Sequence, residues 1–322
     1  MSAAGLHRWK RFWLVGLGNH ARTKLAPAIL ENGQEIAGVV TRQDAGDLAG
    51  GRVFGAIEAA IPSMAPGDVV VLASPPAAHF AQCLAAVTAG IDVIVEKPAF
   101  TSREEAETIR RIAGETGSLV VEALMHRYTA THARLLDIWR ERRARARDVS
   151  ATFLIPQMPG GTFRQGQDIV SSSLFDIGCY PLSLFMDLGL DPAALSICHV
   201  RFPADPMREA VVMAGSDGSV SLRAEVGVGP AYVNRVQMTF AGEEVFTVEP
   251  FFFGRPGPRR LVQRCGDGET THNIDEGDAF RTMFFQPLDI LRLKSDPEWE
   301  RMIATAGQLE RLGSQLLARR AT

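Results

Sequence analysis

The chain has 322 residues, of which 46% are hydrophobic and 22% charged, and a formal net charge of -3. That length suits two domains, each burying its own core, and the near-neutral charge supplies no general attraction to nucleic acid or to an anionic membrane. Four cysteines, Cys83, Cys179, Cys198 and Cys265, lie far apart with no CxxC pair, which argues against a zinc knuckle or a disulfide framework and for a reducing, cytoplasmic compartment. At the start, His7, Arg8, Lys10 and Arg11 precede the apolar run Phe12–Val15, a superficial likeness to a signal peptide. The run is short, and Asn19, His20 and Arg22 follow at once without a cleavage pattern, so a buried first strand is the better reading. No apolar stretch reaches the roughly 20 residues that a membrane-spanning helix needs.

Short apolar runs then recur through the first third, at Ile36–Val40, Val69–Ala73, Val93–Val95 and Leu119–Ala123. They are rich in Val and Ile and mostly apolar on both faces, as strands buried in a parallel sheet are. Helix-like segments lie between several of them. Ala77–Ala89 has apolar residues at helical spacing, and Thr101–Thr116 opens with Thr-Ser-Arg-Glu-Glu, a cap followed by acids that suit the helix macrodipole. The stretch between Val40 and Val69 contains Gly46, Gly50, Gly51 and Gly55 and has room for at most one short helix. Alternating strand and helix signals predict a doubly wound parallel sheet.

The texture changes after Ala123, which sets the expected boundary: a first domain over 1–123 and a second over 124–322. Arg134–Arg147 reads as an amphipathic helix whose run of Arg140, Arg142, Arg143, Arg145 and Arg147 is a solvated face rather than a nucleic-acid surface. Strand-like runs follow at Val149–Ile155, Ser196–Phe202, Ala210–Ala214, Ser219–Val226, Val236–Phe240 and Glu244–Val248, some separated by turn signals such as Ser216-Asp217-Gly218 and Ala241-Gly242. Asp296–Arg320 is helical in period. The second domain is therefore expected to be α+β, an open, mainly antiparallel sheet with helices on one face.

Gly16-Leu17-Gly18-Asn19-His20-Ala21 follows the first strand and opens a helix, fitting GxGxxG/A. Gly16 permits the tight turn, Gly18 lets backbone approach a pyrophosphate, and Ala21 lets helix and strand pack closely, with free amides facing the phosphates. In this strand–turn–helix context the motif marks a Rossmann dinucleotide site. The second strand ends in Thr41-Arg42, where an NAD site usually places an acid. Arg42 is suited to grip a 2′-phosphate and Thr41 to donate a hydrogen bond, which favours NADP(H) over NAD(H), although Asp44 stands nearby. Glu96-Lys97-Pro98 lies at the carboxyl end of the fourth of these strands, the edge where ligands bind in such sheets.

With Ala73-Ser74-Pro75-Pro76, His79, Glu96-Lys97-Pro98 and Leu174–Pro181 added to the glycine loop, the chain resembles the glucose-fructose oxidoreductase/inositol dehydrogenase (Gfo/Idh/MocA) family over nearly its whole length. The resemblance implies an NAD(P)-dependent oxidoreductase acting on a sugar-like substrate in the cleft between its domains, with a homodimer or homotetramer formed through the second domain. It implies cofactor contacts from Gly16, Gly18, Asn19, His20, Ala21, Thr41, Arg42, Ser74, Pro75, His79, Glu96 and Lys97, and a cis Lys97–Pro98 bond. It also implies a catalytic set of Lys97, Asp176 and Tyr180. The family's acid is followed four residues later by histidine or tyrosine; here Asp176 and Tyr180 match, and a spacing of four puts both on one helix face. The tyrosine form, the segment Glu122–Tyr128 with Arg127, Phe153–Pro156 followed by Arg164, and Ala231–Asn234 with Tyr232 are similar to the deoxysugar 3-ketoreductase and dihydrodiol dehydrogenase branches, with Arg127, Arg164 and Tyr232 as substrate contacts. Ser171-Ser172-Ser173 stands where the family usually has glycines, and Ala130 where the branch commonly has proline.

In the reducing direction Tyr180 is the expected proton donor, Lys97 holds the substrate oxygen and the nicotinamide ribose, and Asp176 orients the substrate or Lys97; family members differ on whether lysine or tyrosine transfers the proton. The leading reading is an NADPH-dependent ketoreductase on a nucleotide-linked keto-deoxysugar. Its alternatives are an NAD(P)-dependent sugar or dihydrodiol dehydrogenase and a non-catalytic dinucleotide-sensing regulator, which would not need Lys97, Asp176 and Tyr180 together. No metal site is expected, since His126 and His132 are six apart with no Cys or acid at ligand spacing, and there is no GxSxG elbow.

Overall fold

The computed structural model describes residues 11–49, 52–157, 166, 168–202, 209–285 and 295–320. The chain divides into two compact units, the first of residues up to Leu124 together with Phe280–Ala306, the second of Met125–Ala279 together with residues from Gly307 onward. The sequence reading placed everything after 123 in the second domain. The structure instead returns 280–306 to the first, because the apolar side chains there complete its core.

The first unit holds six parallel strands, β1 (Arg11–Val15), β2 (Glu35–Val40), β3 (Val53–Phe54), β4 (Val69–Leu72), β5 (Asp92–Val95) and β6 (Val120–Glu122), in the order β3-β2-β1-β4-β5-β6. This is the doubly wound dinucleotide-binding order, with its switch point between β1 and β4. Successive strand residues face opposite sides. Trp13 and Val15 enter a cluster with Val70, Leu72, Val93 and Val95, closed by Trp299, Met302, Ile303 and Ala306. From the other side Phe12 meets Phe284 edge-on at 5.5 Å. The indole of Trp13 donates to buried Asp68 at 2.7 Å, and a Cβ on Gly38 would come within 2.2 Å of its ring, so a glycine is required there.

After β1 a single π-turn, Ala21–Leu25, runs into α1 (Ala26–Glu31). Between β2 and β4 lie the two-residue β3 and the four-residue α2 (Ile57–Ala60), so the one short helix expected there is accompanied by a minimal strand. Next come α3 (His79–Thr88) and α4 (Arg103–Thr116). Ser102 caps α4 by accepting from the amide of Glu105, whose carboxylate accepts from the amide and hydroxyl of Thr101, and Gly117 ends the helix at φ 75°.

The second unit is built on eight strands: β7 (Ala146–Ile155), β8 (Ser196–Arg201), β9 (Ala210–Asp217), β10 (Val220–Val228), β11 (Val233–Phe240), β12 (Glu244–Glu249), β13 (Gly257–Cys265) and β14 (Gly268–Glu276). Their order is β14-β13-β12-β11-β7-β10-β9-β8, antiparallel except for the parallel β7–β10 pair. The predicted helix at Arg134–Arg147 is α5 (Ala130–Arg142), which gives way to β7 at Ala146 because that strand needs its full length to pair on both sides. Its arginines are mostly exposed, and Arg142 and Arg145 share the carboxylate of Glu244 at 3.1 and 2.9 Å. The α5 amides of Ala130 and Thr131 donate to Glu276 at the end of β14, at 2.9 and 2.6 Å. α6 (Ser173–Ile177) and α7 (Cys179–Asp187) follow β7, and α8 (Ala279–Phe285) and α9 (Ser295–Arg320) complete the chain. Among the described residues no helix is long and apolar enough to cross a membrane.

Candidate active site

In the first unit the expected cofactor residues gather at the carboxyl ends of β1, β2, β4 and β5. Gly16 has φ 87°, and a Cβ there would lie 2.7 Å from the amide nitrogen of Ser74 and 2.9 Å from the carbonyl oxygen of Ala73. The fold itself therefore demands glycine at 16, where two strand ends abut. Gly18 is different: it has ordinary φ, is exposed, and a Cβ would have no neighbour within 4 Å. Nothing in the protein requires glycine there, whereas a ligand backed against the loop would. Asn19 and His20 are exposed and Ala21 is buried beneath them. Thr41 accepts a hydrogen bond from the amide of Gln43 at 3.0 Å, and the Arg42 side chain is exposed.

Behind this rim the next two strand ends are tied together. The Ser74 hydroxyl donates to Gln82, and Pro75 is exposed. Glu96 is buried and meets His20 at 3.0 Å. Burial pushes the Glu96 carboxyl up, but His20 and Lys97 outweigh it and hold it below its ordinary value. Lys97 is half-buried and its peptide bond to Pro98 is cis. His79, fully buried, places Nδ1 3.0 Å from the carbonyl oxygen of Pro98 and Nε2 2.9 Å from that of Ser74. The Ala99 amide donates to Glu122 at 2.9 Å. Glu122 in turn pairs with Arg301 at 2.5 Å, and Arg301 also pairs with Glu298, all three being almost wholly buried.

In the second unit Asp176 and Tyr180 lie on α6 and α7, either side of Gly178, whose φ of -67° and ψ of -26° keep the two short helices nearly continuous. Both are buried. Three consecutive serines build this corner. Ser171 binds Asp168 through amide and hydroxyl, Ser172 caps α6 at Phe175, and the Ser173 amide donates to Glu209. Around Tyr180 stand Phe153, His126 and Phe252, with ring centroids 5.3, 5.5 and 5.5 Å away. Phe252 is held by Asn234, fully buried, whose side chain accepts from the amides of Phe251 and Phe252 and donates to the Phe252 carbonyl and the Tyr232 hydroxyl. Sequence reading noted Asn234 only within a loose likeness; its four bonds join segments far apart in the chain. Tyr232 is 46% exposed, and burial of part of its ring raises its hydroxyl above the ordinary value.

Two expectations change here. The guanidinium of Arg127, proposed as a substrate contact, grips both oxygens of Asp187, at 3.0 and 3.2 Å. Asp187 also lies 3.0 Å from His132 Nε2, and the ligand atoms of His126, His132 and Asp187 fall within 4.8 Å of one another. The argument that no acid accompanies these histidines therefore fails: the fold brings one from α7. Arg127 and His132 both meet that carboxylate, and the His126 ring stands edge-on to His132 with centroids 5.6 Å apart. Arg164 lies outside the described residues.

Residues 10–124 match the model of an oxidoreductase family with an NAD-binding Rossmann fold. A dTDP-3,4-didehydro-2,6-dideoxy-alpha-D-glucose 3-reductase of Actinomadura kijaniata is 30% identical over 59% of this chain and 54% of its own. One of the same name from Streptomyces antibioticus is 27% identical over 91% and 86%. A D-xylose 1-dehydrogenase (NADP(+)) of Haloferax volcanii is 24% identical over 84% and 85%. In fold, the chain is similar to a 3-ketoreductase of Actinomadura kijaniata solved with NADP and TDP-benzene, at a TM-score of 0.80 and 20% identity over 95% of this chain and 97% of that one. It is similar also to an aldose-aldose oxidoreductase of Caulobacter crescentus, at a TM-score of 0.81 and 17% identity over 98% and 99%. Over residues 10–124 the first unit thus matches the NAD-binding Rossmann domain of the glucose-fructose oxidoreductase/inositol dehydrogenase family.

Proposed function

We propose that this chain is an NADP(H)-dependent ketoreductase acting on a nucleotide-linked keto-deoxysugar. The observation that carries the reading is Gly18, a glycine the protein does not need and a pyrophosphate does, set beside Gly16, which the fold needs. The residues fit a dinucleotide: the glycine loop presents amides to its phosphates, and Thr41 and exposed Arg42 face the end of β2 where the adenosine ribose is read. Arg42 favours the 2′-phosphate of NADP(H) because a guanidinium binds phosphate bidentately. The substrate class rests on the three reductases of the same name among the relatives.

When bound, the nicotinamide supplies a hydride at C4. The chain's residues manage the oxygen of the reacting carbonyl. Tyr180 donates the proton that oxygen takes as it becomes a hydroxyl, and general acid help of this kind is worth about 100- to 10,000-fold. Lys97 hydrogen-bonds the same oxygen, and its positive charge favours the tyrosinate left behind. Asp176 orients the substrate hydroxyls or Lys97. The aromatic wall of Phe153 and Phe252 keeps water from Tyr180.

The test is a fluorescence titration with NADPH and NADH on the native chain and on Arg42→Ala, followed by turnover of a dTDP-linked 3-keto-deoxysugar. NADPH is expected to bind selectively and to weaken in the variant. Tyr180→Phe is expected to keep NADPH affinity while turnover falls at least 100-fold. Failure of the folded chain to bind either nucleotide overturns the reading, and turnover only of an aldose in the oxidative direction moves it to a sugar dehydrogenase.

A further inference from the structure

Between β12 and β13 the half-buried ring of Phe253 is approached by two arginines, Arg255 with its guanidinium 5.9 Å from the ring centre and Arg259 at 4.9 Å. Arg255 is exposed, whereas Arg259 is only 6% exposed. Arg259 donates to the main-chain carbonyls of Arg255, Gly257 and Pro258. Those carbonyls satisfy its N–H groups but do not cancel its charge, and among the described residues no carboxylate pairs with either guanidinium. Successive strand residues face opposite sides, so on the Arg259 face the acid at the neighbouring register is Glu276, across from Gly257. Its two oxygens accept the amides of Ala130 and Thr131. Glu249, across from Arg260, lies on the other face and pairs with Arg235 at 2.8 Å. A nearly buried cation without a counter-ion is costly, and a bound anion removes that cost.

Tyr232 brings a third donor. Its hydroxyl accepts from Asn234 Nδ2 at 2.8 Å, so its own proton is directed elsewhere. Burial raises the hydroxyl above its ordinary value, outweighing the Asn234 bond and the charges of Arg255 and Arg259, which lower it. The hydroxyl therefore keeps its proton, and both guanidiniums stand near enough to act on it. The ring is 46% exposed, which leaves that proton open to a ligand. Two cations and a phenol, with no acid among them, complement a phosphate group. The cluster also shares a wall with the proposed chemistry. Tyr232 stands edge-on to Phe153 at 6.2 Å, and Phe153 lies 5.3 Å from Tyr180.

We infer that Arg255 and Tyr232 bind the diphosphate of a nucleotide-linked substrate, with Arg259 beneath them as a positioning residue. Arg259 holds the Arg255 carbonyl and adds a fixed positive charge behind the subsite. The source of the diphosphate, a nucleotide-linked sugar, rests on the ketoreductase activity proposed above. A free sugar leaves both charges unbalanced, so the cluster separates nucleotide-linked substrates from free ones.

The experiment is calorimetric titration of the full chain with dTDP and with thymidine, at saturating NADPH so that the glycine loop is occupied. dTDP is expected to bind at least tenfold more tightly than thymidine. Arg255→Gln is expected to weaken dTDP at least tenfold and Tyr232→Phe by less, with thymidine and NADPH affinities unchanged. Both side chains are largely exposed, so these variants keep the fold. For Arg259 the readout is the rise in thermal midpoint that dTDP produces. Arg259→Lys, which keeps the charge, should retain most of that rise and Arg259→Gln should lose it. A merely structural arginine would lower the midpoint and leave the rise intact in both, which overturns the positioning role. Equal affinity for dTDP and thymidine, or dTDP binding that Arg255→Gln leaves unchanged, overturns the subsite. NADPH affinity is read separately. A chain that takes dTDP through Arg255 but not NADPH keeps this subsite and loses the ketoreductase reading, and the converse result loses the subsite alone.

Discussion

Replacing Arg301 by methionine isolates the cost of an unbalanced buried charge. The guanidinium holds Glu122 and Glu298 where the three side chains are 2%, 2% and 9% exposed. Methionine keeps much of the aliphatic volume and removes a cation that pairs with both acids. Breaking a buried pair by deleting one partner costs about 3–5 kcal/mol, because the charge left behind is uncompensated. Two acids lose the same partner here, so a loss within that range, about 3–5 kcal/mol, is expected. The loss has a pH signature. The stranded carboxyls take folded pKa values above their unfolded ones, so the folded state binds more protons, and the deficit relative to the native chain shrinks as pH falls. Urea unfolding, followed by the fluorescence of Trp13 and Trp299 in this core, reads the quantity at pH 7.5 and pH 5.5. Adding Glu122→Gln and Glu298→Gln to the variant should recover more than half of the loss. A deficit below about 1 kcal/mol, the size expected of an exposed pair, or a deficit that does not change with pH, refutes the reasoning.

The two loop glycines are expected to separate. Gly18→Val should leave the urea midpoint nearly unchanged, within the roughly 0.5 kcal/mol of an ordinary surface change, while NADPH affinity in the fluorescence titration falls at least tenfold. Gly16→Ala should lower stability as well, by about 1–3 kcal/mol, since the backbone there is left-handed and the methyl meets the backbone of Ser74. Asn234→Ala strands the buried amide and carbonyl of Phe252, while the Phe251 amide keeps the main-chain carbonyl of residue 234. At about 1–3 kcal/mol for each buried unsatisfied group, softened by relaxation, thermal unfolding should show a loss of about 3 kcal/mol. A loss under 1 kcal/mol would mean the segment holds itself.

The first unit was legible because its strands are buried on both faces and so appear as apolar runs, and because the glycine loop has to follow β1. The second was legible where strands alternate, as in β10 and β11, and silent where they do not. β14 buries little beyond Glu276, so Gly268–Glu276 carries no apolar rhythm, although it completes the sheet. The arginine run continues helical spacing past residue 142, but hydrogen bonds on both sides of β7 decide the matter in favour of strand. Asp176 and Tyr180 were found from the family resemblance of one short segment, with the spacing of four placing both on one helix face. Asp187 beside His132, and Arg301 beside Glu122, depend on elements that topology alone brings together, and no local pattern announces them.

The place of β7 in the sheet bears on how the second unit comes together. It is the first strand of that sheet in the chain, yet it lies inside, between β10 and β11. The strands on either side are meanders, β8-β9-β10 and β11-β12-β13-β14, whose partners are sequence neighbours and whose loops close at small entropic cost. Each meander has an open edge until β7 fills it, and an open edge invites pairing with another chain. β7 is made early and satisfied late, by contacts distant in sequence, which is the slow kind. The step expected to limit refolding of this sheet is therefore the capture of β7 between the two meanders.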